Sequence, residues 1–249
     1  MKIRNIFLTF LLLASVSTLF AQANKIEFKE YDLENGLHVI LHQDNSFPLV
    51  VVTITYHVGS KNERPDRTGF AHFFEHLMFE GSANIPRGEY SKIVDKAGGT
   101  LNANTTWDRT FFYEILASNQ LELGLWLESE RMLHLNVDSI GVATQKKVVT
   151  EEIKERQENQ PYMSFQPEIV KRAFTVHPYQ WTVLGSADHI MAATEEDYKN
   201  FYNDFYVPNN AVITIVGDIE YEPTLEMIKK YFGDIPASEK EIYRPKQVE

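Results

Sequence analysis

Cysteine is absent from all 249 residues of the chain. This absence excludes disulfide bonds, thiolate ligands for a metal ion and a lipid attached to an N-terminal cysteine. A metal ion bound by this chain must therefore be held by His, Asp or Glu side chains.

Long apolar runs are also missing once the N-terminal segment 1–23 is set aside. Lys2 and Arg4 precede an apolar stretch over 6–20, and Ala21-Gln22-Ala23 follows with the small-x-small pattern of a signal-peptidase site. Residues 1–23 are predicted to be a signal peptide cleaved after Ala23, which makes the mature protein periplasmic or secreted. No later segment approaches the about 20 apolar residues of a spanning helix, so no stable membrane span is expected after signal removal.

Positive charge is scarce in the mature chain. Two of the 24 basic residues, Lys2 and Arg4, lie in the leader, whereas all 35 acidic residues follow it, which leaves the mature chain a net charge of about −13. Binding of nucleic-acid phosphates needs a basic surface, so a nucleic-acid partner is not expected.

The mature sequence indicates one domain over 24–237 and a polar, linker-like tail over 238–249. Asn35-Gly36 separates two strand-like runs, as in a tight hairpin. Strands are predicted at 28–33, 37–43, 49–58, 100–105, 110–116 and 210–218, and helices at 69–80, 88–97, 120–135, 139–159, 166–174, 195–205 and 223–232. Adjacent strands with helices grouped between them predict an α+β fold, in which helices cover a largely antiparallel sheet.

The segment GFAHFFEHLMFEGS, residues 69–82, holds two histidines and a glutamate within an apolar, aromatic helix. On a helix, His72, Glu75 and His76 project from one side. Two imidazoles one turn apart can bind one Zn²⁺, and the carboxylate between them can take a proton from a water on that ion. The alternative is a helix whose His and Glu side chains are solvated or satisfied in the core, but the apolar surroundings disfavour a solvated face.

A third ligand is still needed, and the helix predicted over 139–159 offers four glutamates. Such a run is most often a charged helix face, and periodicity alone does not choose among its members. The candidates are Glu151, Glu152, Glu155 and Glu158.

The stretch YHVGSKNERPDRTGFAHFFEHLMFEGS resembles the pitrilysin/insulinase family of inverted zincins, which includes mitochondrial processing peptidase. In that family, H-x-x-E-H is followed at a characteristic distance along the chain by a ligand glutamate in a pattern like V-V-x-E-E-I. Here VVTEEI places Glu152 at the corresponding distance after His76. GGTLNANTTWDRTFFYEIL, HPYQWTVLGSADHI and FYNDFYVPNNAVITIVGDI resemble later family segments, so the likeness covers nearly all of 26–233 and implies a metallopeptidase half-domain.

The resemblance implies roles for individual residues. His72, His76 and Glu152 would bind one zinc ion per chain, with Glu151 in reserve if the register is off by one, and Glu75 would be the general base. The segment with Asn102 and Ala103 would be an edge strand that pairs with the backbone of a peptide substrate.

This sequence departs from the family at Gln145, two helical turns before Glu152. Family members usually carry an acidic residue there, as a helper close to the site. Gln145 would therefore weaken metal affinity or water activation without removing a ligand.

The expected function is that of a zinc endopeptidase acting on peptides or unfolded segments. Family members are usually built from repeated domains, each about as long as the mature part of this chain, and this chain matches only the first, zinc-binding one. A second homologous domain or subunit, in a hetero- or homodimer, is therefore the expected partner, unless the sequence is a fragment. The alternatives are a non-catalytic peptide-binding or scaffold subunit and, less well supported, a metal-dependent lyase of related fold, which would use a cysteine that this chain lacks.

Overall fold

A six-stranded sheet forms the centre of the part of the chain that the structure describes. This structure is a computed structural model, and it describes residues 25–157, 159 and 161–246. The leader predicted over 1–23 lies outside the described residues. The strands are β1 Lys29–Asp32, β2 His38–Gln43, β3 Leu49–Tyr56, β4 Thr100–Thr105, β5 Thr110–Ala117 and β6 Ala211–Gly217.

The order of strands across the sheet is β1-β2-β6-β3-β5-β4. Every neighbouring pair is antiparallel except β2 with β6, which run parallel among the described residues. The predicted α+β class with a largely antiparallel sheet is confirmed. The β1–β2 hairpin turns where Asn35-Gly36 predicts it, with Gly36 at a φ of 81° that favours glycine.

Eight α-helices surround this sheet in the described part of the chain. Their bounds are α1 Phe70–Leu77, α2 Tyr90–Lys96, α3 Leu121–Leu133, α4 Ser139–Gln157, α5 Phe165–Ala173, α6 Ala187–Ala192, α7 Glu195–Phe205 and α8 Tyr221–Phe232. Seven of them lie where the sequence predicts a helix, and only α6 was missed. None of them has both the length and the apolar character that crossing a membrane needs, within the residues described.

Helix α1 is almost completely buried. Phe73 stacks on Tyr198 of α7 with ring centroids 4.2 Å apart, and Phe74 stacks on Phe201 of the same helix at 5.7 Å. Full burial of one such side chain stabilises the fold by about 2 kcal/mol. This aromatic packing fixes the rotation of α1, so its polar residues can face only in one direction.

The end of the chain runs along the domain without forming a helix or strand through residue 246. The side-chain amide of Asn62 donates to the carbonyl of Tyr243 at 3.0 Å, and the guanidinium of Arg244 donates to the carbonyl of His57 at 3.2 Å. Ile242 packs against the core. The segment predicted to be a linker therefore contacts the body of the domain as far as it is described.

Candidate metal centre and substrate cleft

The start of α1 is held by a buried carboxyl group, that of Glu63. Gly69 precedes the helix with a φ of 90°, and the two oxygens of Glu63 accept from the backbone N–H groups of Gly69 and Ala71, each at 2.9 Å. These bonds satisfy donors that a helix N-terminus leaves free. They hold the helix that carries His72, Glu75 and His76 in place.

Glu152 of α4 meets the two histidines of α1. Its Oε2 lies 3.1 Å from Nε2 of His76 and 3.7 Å from Nε2 of His72. The donor atoms of the three residues all lie within 4.8 Å of one another. Glu151, the reserve candidate, has an exposed side chain.

These three side chains suit a zinc ion in both geometry and chemistry. Ligands about 2.0–2.1 Å from a tetrahedral zinc stand roughly 3.3 Å apart, close to the distances between Glu152 and the imidazoles. Burial, followed by the charge of His76, lowers the pKa of His72 to about 4, which keeps this imidazole neutral, the form that binds metal. The hydrogen bond from His76 lowers the pKa of Glu152, which keeps it ionised.

Glu75 lies beside this group and is anchored by the neighbouring strand. The hydroxyl of Thr105, at the end of β4, donates to Oε2 of Glu75 at 2.6 Å. Burial raises the pKa of the Glu75 carboxyl. A raised pKa suits a carboxylate that must accept a proton from water near neutral pH.

Strand β4 is an edge of the sheet and carries Asn102 and Ala103. Its partner on one side is β5, and no described strand pairs with its other side. The N–H of Ala103 donates to Oδ1 of Asn102 at 2.8 Å, so it points away from β5. Backbone groups alternate along an antiparallel pair, and therefore Leu101 and Thr105 also turn their backbone toward the open side.

A cleft of about 690 Å³ connects these elements. It is lined by His72, Glu75, His76 and Glu152 and by residues 102–105 of β4. The rest of the lining includes Met163, Pro167, Val183 and Leu184. Asn102 and Ala103 of β4 therefore line the same cleft as His72, His76 and Glu152.

Gln145 lies on α4 two helical turns before Glu152, outside this cleft. Its side-chain amide donates to Oε1 of Glu80, a carboxylate that Arg87 also binds, at 2.7 Å. Gln145 does not line the cleft in the described structure. Its predicted effect on metal affinity stays a prediction.

Sequence reasoning missed three residues that support the site: Glu63, Thr105 and Arg156. Arg156 lies one helical turn after Glu152, and its Nη2 is 2.9 Å from Oε1 of that carboxylate. The i,i+4 spacing of an acid and a base was a signal that could have identified this pair. Nothing comparable links Glu63 or Thr105 to α1 before the chain is folded.

Glu63→Gln is expected to lower the free energy of unfolding by about 1–2 kcal/mol at pH 5, because an amide keeps one acceptor and sets an NH₂ group against the second N–H. Burial raises the pKa of Glu63 to about 8, above its usual 4.5. The folded state therefore keeps a proton that the unfolded chain releases, and the stability of the parent falls as the pH rises from about 4.5 through 8. The variant has no carboxyl at this position and so lacks this pH dependence. The difference in the free energy of unfolding between parent and variant should therefore narrow toward pH 8.

Urea unfolding of both proteins between pH 5 and 8 measures this difference. Other titrating groups are shared and cancel in the comparison. A difference that widens as the pH rises would contradict the expectation.

Two family models match the chain. Residues 38–187 match the model described as insulinase (peptidase family M16), which spans more than half of the chain, and residues 192–249 match the model described as the peptidase M16 inactive domain. The first match contains α1, β4 and α4, and so all residues of the candidate metal centre.

Individual proteins that are similar to this chain are also proteases. The zinc protease PqqE of Helicobacter pylori is 33% identical over 226 residues, which cover 90% of this chain and 51% of PqqE. A crystal structure of a protease from Helicobacter pylori superposes with a TM-score of 0.86 at 33% identity, over 89% of this chain and 54% of that one. The periplasmic protease PqqL from Escherichia coli shares the fold, with a TM-score of 0.79 at 24% identity, over 89% of this chain and 26% of that one. The chain thus spans about half the length of the curated relative PqqE.

Proposed function

Since the chain belongs to the insulinase family, peptidase family M16, we propose that it is a zinc-dependent endopeptidase that hydrolyses peptides or unfolded polypeptide segments. The observation that supports this most directly is the approach of Glu152 to within 3.1 Å of His76 and 3.7 Å of His72. Two imidazoles and a carboxylate are a donor set typical of catalytic zinc sites. The name of the relative PqqE, a zinc protease, agrees with this proposal.

In the proposed mechanism, the substrate binds as an extended strand along β4. The outward-facing backbone of Ala103 forms main-chain hydrogen bonds to the peptide once Asn102 releases its N–H. This pairing depends little on the substrate's side chains, which suits unfolded segments. It places a scissile carbonyl over the floor of the cleft.

His72, His76 and Glu152 would hold the zinc ion. When bound, this ion would lower the pKa of a water molecule to about 7 and polarise the scissile carbonyl. Glu75 takes a proton from the water as the water attacks the carbonyl carbon, and then delivers that proton to the departing amine. The hydroxyl of Thr105 keeps the Glu75 carboxylate aimed at the water.

Full activity is proposed to need a second homologous domain or subunit. The cleft is open to solvent, and relatives of this chain are about twice as long. A second half closing over the cleft would exclude water and orient the peptide. The proposed location of the mature protein is the periplasm or the exterior of the cell, after cleavage of the leader at Ala23.

The test is a measurement of zinc content and of peptide cleavage by the purified chain, with and without a separately expressed second half. One zinc per chain is expected for the parent. Glu152→Gln should lose this zinc and all cleavage, because the amide is a poor ligand for zinc. Glu151→Gln, which changes the exposed neighbour, is the matched control and should retain both.

Stoichiometric binding of peptides without turnover, in the presence of zinc and of the second half, would support a non-catalytic subunit and overturn the peptidase assignment. Zinc retained by Glu152→Gln but lost by Glu151→Gln would show that the third ligand is wrongly assigned.

A further inference from the structure

Arg156 is the one Lys or Arg side chain among the described residues that line the cleft. It follows Glu152 by one helical turn on α4, and its Nη2 lies 2.9 Å from Oε1 of Glu152. The other oxygen, Oε2, faces the imidazoles of His72 and His76. The two oxygens of one carboxylate are therefore engaged on opposite sides.

An exposed ion pair of this kind normally contributes little, and the side chain of Arg156 is 60% exposed. The chain contains a similar pair at Arg172 and Glu168, with the same i,i+4 spacing and 3.3 Å between the charged atoms. The difference lies in the acceptor. Glu168 is 58% exposed, whereas Glu152 is 19% exposed and shares its second oxygen with two metal-binding imidazoles.

We propose that Arg156 is a positioning residue of the metal centre: by holding Oε1 of Glu152, it keeps Oε2 directed at His72 and His76 and so raises the affinity of the site for zinc. This inference rests on the proposed metal site. A glutamate side chain otherwise loses rotational freedom when it binds a metal, and a carboxylate that is already oriented avoids this loss.

The positive charge of Arg156 by itself would lower the affinity for zinc, because a guanidinium repels a divalent cation. Solvent reaches most of this side chain, so water and salt screen that repulsion. Orientation of the half-buried carboxylate is not screened in this way. We therefore expect orientation to decide the sign of the effect.

The experiment measures the dissociation constant for zinc, by competition with a chelator, for the full chain and three variants. Arg156→Ala should weaken zinc binding about tenfold, as is typical when a group that orients a metal ligand is removed. Arg156→Gln should stay within about threefold of the parent, because a glutamine one helical turn away can still donate to Glu152. Arg172→Ala removes the similar pair outside the site and should change the dissociation constant less than about twofold.

Thermal unfolding of the metal-free proteins separates positioning from a general structural role. Arg156→Ala and Arg172→Ala should lower the melting temperature to the same small extent, since each loses one exposed pair. A much larger loss for Arg156→Ala in the absence of metal would overturn the proposal.

Three outcomes of the binding experiment would also overturn it. Zinc binding by Arg156→Ala that equals or exceeds that of the parent would mean that repulsion, or nothing, is the effect of this arginine. Equal weakening in the Gln and Ala variants would exclude the hydrogen bond as the cause. Absence of zinc binding in the parent would remove the proposed metal site itself, whereas the first two outcomes leave that site intact.

Discussion

Glu75→Gln is expected to lower kcat for peptide hydrolysis by about 10²–10⁴-fold, the usual contribution of a general base. The amide has the size of the carboxylate and can still accept the hydrogen bond that Thr105 donates at 2.6 Å. It cannot take a proton from water at neutral pH. The loss should therefore appear in kcat, with little change in the binding of peptide along β4.

The zinc content of Glu75→Gln separates loss of the base from loss of the site. Glu75 is not among the three residues whose donor atoms converge, so the variant should bind one zinc with unchanged affinity. Glu151→Gln gives the matched control for replacing a nearby glutamate. Hydrolysis by Glu75→Gln at the parental rate would show that the base is wrongly assigned.

The sequence identified residues that meet at one cleft, but it did not predict the contacts around them. His72, Glu75 and His76 follow from helical spacing, and the structure places all three at one cleft. Glu152 came from the resemblance, because the helix predicted to carry it holds several glutamates and periodicity cannot choose one. Thr105 was missed because the face that β4 turns to α1 is decided by tertiary packing. Arg156 was missed although its i,i+4 spacing from Glu152 is a local signal.

Segments of the fold with strong local signals were predicted correctly. The pairing of strands that are distant in sequence was not predicted. The apolar run of β3 and the Asn-Gly turn identify strands, but nothing local shows that β6, the last of the described strands, inserts between β2 and β3. Helix α6 was missed because it is very short and buries just Ile190. Gly185 packs its backbone against Gly69, which ties this region to the start of α1.

A buried group of charges on the inner face of the sheet also went unpredicted. Arg131 of α3 and the carboxyl groups of Glu114 and Glu128 are fully buried. The guanidinium lies 2.7 Å from Oε1 of Glu128 and 3.7 Å from Oε1 of Glu114, and it rests 4.0 Å from the ring centroid of Phe112. The signal was present in β5, where Glu114 occupies the inward register of the strand.

One positive charge faces two carboxyls in this group, and burial raises the pKa of Glu114 well above its usual range. Glu114 is therefore held as a neutral acid, to which Tyr90 donates at 3.3 Å. Arg131 and Glu128 then form the ion pair. The stability of the domain depends on keeping that pair complete, because a single charge buried in this apolar site has no solvent to stabilise it.

Arg131→Met is accordingly expected to lower the free energy of unfolding by about 3–5 kcal/mol, the usual effect of removing one partner of a buried pair. Domains of this kind have a total stability of about 5–15 kcal/mol, so urea unfolding at pH 7 should detect the change easily. The double variant Glu128→Leu with Arg131→Met removes both charges and should recover most of the loss, since apolar replacement of a buried pair is often nearly neutral. A double variant as unstable as Arg131→Met would mean that the arginine acts through its packing on Phe112 and its other aromatic neighbours, and not through its charge.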